Sequence, residues 1–182
     1  MQVRKENRCY SKLGTGCYQT LTKLPLRKEK MRRRLGRICL SSKVAVQALL
    51  SPVAFAALGL IVRDGKVLLA RHSYAPGWLL PGGGVARGEP PEQAVLREMR
   101  EEIGLTRASP PQLFGLYSRK TGWATNVIAL YRMDDVEFTF VPNFEIREIQ
   151  FADPLAPPEG TPLSVRTRLR EFAGLEPKSA YW

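Results

Sequence analysis

The sequence predicts an α/β domain, an α/β/α sandwich with a mixed β-sheet between helices. Three observations predict it. Apolar runs of strand length alternate with amphipathic helical stretches. An Asp-Gly turn joins the first two runs as a hairpin, and both helical stretches carry terminal signals. The elements follow in order. Residues 44–62 form an apolar run that raises the question of a membrane span, but Gln47, Ser51 and Pro52 interrupt it, and Pro52 breaks a helix. The run divides into a short amphipathic helix over about 42–50 and a buried strand over 53–62. Arg63-Asp64-Gly65-Lys66 turns the chain, and Val67 to Arg71 is the return strand. A loop containing Pro76 leads to a short strand, Trp78 to Leu80, which feeds Gly82-Gly83-Gly84.

The first long helix begins near Pro91, since proline suits an early helical position, and ends at Gly104, a C-terminal cap. Ala94, Val95, Leu96, Met99 and Ile103 give it an apolar side, leaving its acids to face outward. Leu113 to Ser118 and Thr125 to Tyr131 read as a strand pair joined through Thr121-Gly122, with further strands at Phe138 to Val141 and Ile149 to Ala152. Thr161 is placed as the N-cap of a last helix that runs to about Ala173 before Gly174.

The acids of the first long helix carry the functional signal. Glu98, Glu101 and Glu102 are spaced i, i+3 and i+4, so their carboxylates share about one turn of one face. Like charges so close repel, and a hard divalent cation such as Mg²⁺ relieves them because it prefers carboxylate oxygens. The helix is therefore expected to hold a metal.

The surrounding pattern resembles a known family. Gly83, five residues, Glu89, seven residues, Arg97-Glu98-Met99, one residue, Glu101-Glu102, one residue and Gly104-Leu105 resembles the Nudix box with every fixed position filled. Trp78-Leu79-Leu80-Pro81-Gly82-Gly83-Gly84 resembles the usual approach to that box. The resemblance covers about residues 54–173, and its specificity sits in the 23 residues from 83 to 105. It implies the Nudix fold and a metal-dependent pyrophosphohydrolase. Such enzymes cleave a nucleoside diphosphate linked to another moiety by attack of water on a phosphate.

Roles follow residue by residue from the resemblance. Glu98 and Glu102 are implied metal ligands for Mg²⁺ or Mn²⁺, and Glu101 is either a third ligand or the group that orients the water. The carbonyl of Gly82 is a further ligand, while Gly83, Gly84 and Trp78 are implied to meet substrate. Arg97 holds the carboxylates in register at the catalytic site, and Glu89 and Gly104 support the loop and helix. The general base is sought outside the box, at Glu145 or Glu148 in NFEIREIQF, with Glu145 preferred for its distance to Phe151. The proline that marks ADP-ribose specificity about fifteen residues past the box is replaced by Lys120. The tyrosine of the dinucleoside polyphosphate pattern is replaced by Gly122, and no coenzyme A signature is visible. Tyr74, Tyr117 and Trp123, like Trp78, are candidates for stacking on a base.

Charge is distributed unevenly. Of a formal net charge of +11, residues 1–43 carry all of it, with 13 Lys and Arg against Glu6 and Glu29; the remainder holds 15 of each sign. The expected organisation is a poorly ordered basic arm (1–43), a Nudix domain (44–176) and a tail (177–182). Arg27 to Arg37 suits RNA phosphates, which admits an enzyme of RNA 5′ ends guided by the arm. A regulator that binds nucleotide without cutting it is a third class, disfavoured by the complete set of box glutamates. Cys9, Cys17 and Cys39 are odd in number and lack a CxxC pair, which argues against a disulfide framework or zinc site. The lone His72 excludes His-rich metal sites and is expected on the substrate or solvent side of a strand end. A reduced, cytoplasmic protein without a membrane span follows, and dimers are frequent in the family it resembles.

Overall fold

The computed structural model describes Met31, Ser42, Val46, Leu49, Leu50 and residues 52–182. The chain divides into two compact units, 1–44 and 45–182, and the second carries all the elements below. The basic run and the cysteines lie outside the described residues, apart from Met31 within that run. Of the short helix expected over about 42–50, Ser42, Val46, Leu49 and Leu50 are described, and all four are helical. Among the described residues, no helix is long and apolar enough to cross a membrane.

Strand β1 (Val53–Arg63) is the organising element. It turns at Asp64 and Gly65, both with positive φ, into β2 (Lys66–His72) as the Asp-Gly signal predicts. The expected strand at 78–80 is reduced to one bridge between Leu79 and Ala70. The strand proper is β3 (Gly82–Gly84), antiparallel to Ala56–Leu58 of β1. This displacement has a steric cause, because a Cβ at Gly82 would lie 2.3 Å from the Ala57 carbonyl oxygen. Only glycine lets the loop backbone lie this close to β1.

Helix α1 (Pro91–Ile103) has Pro91 at its start and closes on Gly104 at φ 71°, with both signals used as expected. Strand β4 (Leu105–Arg107), which the sequence did not announce, then pairs with β7 (Glu137–Phe138), the shortened form of the strand expected at 138–141. Between them β5 (Gln112–Thr121) and β6 (Ala124–Met133) form a hairpin over Gly122-Trp123. Strand β8 (Ile146–Ala152) begins three residues before the expected 149. Helix α2 (Leu163–Phe172) is entered from Pro162; the Thr161 hydroxyl instead donates to the Pro158 carbonyl, so Thr161 braces the preceding turn and does not cap the helix.

The main sheet runs β5-β6-β1-β2-β8, with β3 also on β1, and the β1–β6 pair is parallel while its other pairings are antiparallel. Alternation along β1 and β2 gives each face its own core. Ala57, Ile61 and Leu68 meet Val95, Met99 and Ile103 of α1 on one face. Leu60, Val67, Leu69 and Leu130 meet Val165 and Leu169 of α2 on the other. The architecture is the α/β fold with a mixed sheet and flanking helices that the sequence predicts.

Candidate active site

Helix α1 positions the acids, and β3 brings a glycine backbone to them. The expectation that all the acids face outward needs correcting. Glu102 is 2% exposed, because it follows Val95 and Met99 by seven and three positions and so borders the apolar side. It faces the glycine loop and accepts the Gly82 N–H through Oε2 at 2.7 Å. Burial, reinforced by the charges of Glu98, Glu145 and Glu101, pushes its carboxyl up to about 8 against that hydrogen bond. Glu98 is largely shielded, and Glu101 is exposed at the rim.

Arg97 ties the cluster together. Its Nε and Nη2 donate to the two Glu89 oxygens at 2.9 and 3.0 Å. Its Nη1 reaches Glu98 at 2.7 Å and Glu101 at 3.2 Å, and Nη2 also donates to the Gly84 carbonyl at 3.0 Å. Glu89 in turn accepts the Ala86 N–H, so Arg97 and this bond hold its carboxyl below the usual range. Hydrogen bonds donated to Glu89 and then to Glu98 hold the guanidinium above its already high value. Two faces of the fork are thus filled, one by Glu89 and one by Glu98. Lysine has no fork, so Arg97→Lys is expected to lower kcat roughly tenfold to a hundredfold, the usual effect of losing a partner that orients ligands. A steady-state rate equal to wild type would contradict the bracing role.

Gly83 faces Glu98 directly: a Cβ there would stand 2.6 Å from the Glu98 carboxyl carbon and 2.7 Å from both its oxygens. Alanine fits the Gly83 backbone but displaces the carboxylate. Gly83→Ala should therefore cost about a hundredfold in kcat, the scale of an ångström of misplacement, with an unchanged melting temperature. Unchanged turnover would remove Gly83 from the site.

The two candidate bases are separated by their surroundings. Glu148 pairs with Arg71 at 3.3 Å on the exposed surface of the β2–β8 ladder. Glu145 stands beside the site: its carbonyl accepts the Ser73 N–H at 2.8 Å next to His72, and its charge adds to the burial that raises Glu102 and opposes the burial that lowers His72. Asn143, which carries no signal in the sequence, holds that segment. Its amide donates to the Glu102 carbonyl at 3.1 Å, and its Oδ1 accepts the Glu145 and Ile146 N–H groups at 2.9 and 2.8 Å. One side chain thus joins the end of α1 to the start of β8. An asparagine before a strand gives no hint in sequence of reaching a helix terminus 41 residues away.

His72 is buried beside Glu102, with Nδ1 3.9 Å from Oε1, and burial lowers its pKa against an opposing pull from Glu145. Trp78, expected against substrate, is 7% exposed in the core beneath Arg71; its ring follows the inward alternation of the strand-like segment, so it does not line the cleft. Tyr117 is likewise core, and Trp123 is an exposed hairpin tip. Tyr74 does line the cleft, a cavity of about 880 Å³ that runs from Gly82–Gly84 and His72 across Ala54, Ala56 and Asn126 to Trp182.

Among the described residues, no three His, Cys, Asp or Glu side chains form a ready-made metal cage, and Arg97 is hydrogen-bonded to Glu89, Glu98 and Glu101. The donor set nevertheless fits a hard divalent cation. It is all oxygen, and burial first and the like charges of Glu98, Glu145 and Glu101 second disfavour an unpaired charge on the Glu102 carboxyl. Glu98, Glu102, Glu101 and the Gly82 backbone are the residues that would hold it.

The NUDIX domain family model matches residues 50–172. The RNA pyrophosphohydrolase of Gluconobacter oxydans is 41% identical over 68 residues, which are 36% of this chain and 36% of that protein. The RNA pyrophosphohydrolase of Aeromonas hydrophila is 50% identical over 50 residues, 26% of this chain and 29% of its own length. The chain thus spans only about a third of the length of the curated relatives it matches. Among solved structures, the MutT NUDIX hydrolase from Burkholderia pseudomallei is similar at a TM-score of 0.58 and 26% identity, over 65% of this chain and 96% of that one. The MutT protein from Methanosarcina mazei Go1 is similar at a TM-score of 0.56 and 25% identity, over 70% and 98%.

Proposed function

Because the chain belongs to the Nudix family, we propose that it is a metal-dependent pyrophosphohydrolase that cleaves a nucleoside diphosphate linked to another moiety by attack of water on a phosphate. The observation that carries this is the carboxylate cluster, with Glu102 buried at the glycine loop and Glu98 fixed against Gly83 by Arg97. Mg²⁺ or Mn²⁺, when bound, supplies positive charge to phosphate oxygens and acidifies water. Everything else falls to the chain. Glu98 and Glu102 offer oxygens, and the Gly82 N–H keeps the Glu102 carboxylate turned to the loop. Gly83 and Gly84 leave room for phosphates beside their backbone. Glu101, at the rim, orients water or shares the cation. Glu145 takes the proton from the attacking water, with Asn143 setting the position of its backbone.

A second reading is favoured by the names of the curated relatives and by the basic arm: the substrate is a triphosphorylated RNA 5′ end. Phosphate and pyrophosphate release from nucleoside triphosphates, nucleotide sugars and 5′-triphosphorylated RNA separates the two. The first reading expects turnover of a small nucleotide that survives removal of residues 1–43. The second expects RNA turnover that falls steeply with salt and with that removal. Release from none of these would contradict both.

A further inference from the structure

Segment 178–182 sits on the domain in a way that its sequence does not suggest. The Ser118 N–H donates to the Ala180 carbonyl at 2.8 Å, and the Trp182 N–H donates to the Ser118 carbonyl at 3.1 Å. The segment thereby runs alongside β5, with Tyr181 in parallel register with Ser118. Beneath it lies a buried ion pair of α2, Arg168 to Glu171 at 2.8 Å. Burying two charges costs more than an apolar pair of the same volume, so this pair is poorly explained as mere stabilisation. Its remaining hydrogen-bonding capacity goes largely to the segment. Arg168 Nη1 donates to the Tyr181 carbonyl at 2.7 Å, and Glu171 Oε1 accepts the Ser179 N–H at 2.8 Å. The other Glu171 oxygen accepts the Tyr117 hydroxyl at 2.9 Å. The Arg168 guanidinium also lies 5.6 Å from the Trp182 ring centre, and that ring meets Tyr117 edge-on at 5.6 Å.

What the clamp holds in place is a cleft wall. Trp182 lines the same cavity as the glycine loop, and so does Asn126. Asn126 stands between Ala54 of β1 and Arg119 of β5 in one cross-strand row, and the small Ala54 and Ala56 leave the sheet open beside it. Its Oδ1 is buried without a hydrogen-bond partner, among the described residues one of few such atoms. A buried amide oxygen without a protein partner is costly unless water or a ligand meets it, and this one opens on the cleft.

We propose that residues 179–182, locked by Arg168 and Glu171, form a fixed wall of the substrate cleft, and that Trp182 and Asn126 seat the nucleobase of the substrate. An indole offers a flat apolar face to any base, and a side-chain amide offers a donor and an acceptor to a base edge. This rests on the hydrolase reading for the substrate class alone, not for the seat itself.

The test is equilibrium binding of AMP, GMP, CMP and UMP against ribose 5-phosphate, with Mg²⁺ present, to the full chain and to Trp182→Ala, Trp182→Phe and Asn126→Ala. At least one nucleotide should bind the full chain about tenfold more tightly than ribose 5-phosphate, the scale of one stacked base. Trp182→Ala and Asn126→Ala should each lose most of that preference, Trp182→Phe should keep it, and ribose 5-phosphate should bind all four alike. A full preference in both alanine variants overturns the proposal, as does no preference in the full chain. If Trp182→Ala does not fold, Asn126→Ala and Trp182→Phe decide alone. A chain that cleaves nucleotides but shows no base preference sinks this inference only. One that prefers nucleotides through Trp182 and Asn126 yet cleaves nothing sinks the hydrolase reading only.

Discussion

Glu98→Gln is expected to lower turnover about a thousandfold, roughly 4 kcal/mol of lost transition-state stabilisation, without unfolding the chain. The two consequences separate because the amide keeps the shape of the carboxylate and still accepts a hydrogen bond. Arg97 Nη1 retains a partner at 2.7 Å, and the contact with Gly83 is unchanged. What disappears is the negative charge, which is what a divalent cation requires. Activity at saturating Mg²⁺ and a thermal melt read the two effects independently. Turnover within tenfold of wild type would refute the assignment of Glu98 as a metal ligand, whatever the melt gives.

Glu145→Gln should lower kcat about a hundredfold, with KM little changed, the usual scale for removal of a positioned proton acceptor. The matched control is Glu148→Gln, which only loosens an exposed pair with Arg71 and should leave both parameters within about twofold of wild type, as exposed pairs contribute little. Equal losses in the two variants would contradict the choice between them. A loss confined to Glu148→Gln would reverse it.

The contrast between these two glutamates shows how far sequence reaches. Residues 83–105 declare their own geometry, because the spacing of Glu98 and Glu102, the proline at 91 and the glycine at 104 all act within one loop and one helix. The hairpin at Asp64-Gly65 was legible for the same local reason. What failed depends on distant chain. The strand expected at Trp78 became a bridge because the glycines after it approach β1 more closely than any side chain allows. Glu102 borders the apolar side of α1 by its spacing, but its partner there, the Gly82 N–H 20 residues away, is set by the loop. Asn143 and Trp182 are set by contacts 41 and 64 residues away in sequence, Trp182 through Ser118. No periodicity encodes such pairs.

The acidic face of α1 is expected to work by holding a divalent cation against a pyrophosphate. The deciding measurement is the rate of phosphate release from a nucleotide substrate as Mg²⁺ is titrated into chelator-treated protein. No turnover is expected in chelator, with a saturable rise on adding Mg²⁺ that Glu98→Gln does not show. Turnover that persists in chelator, or that Glu98→Gln shares, would contradict that role of α1.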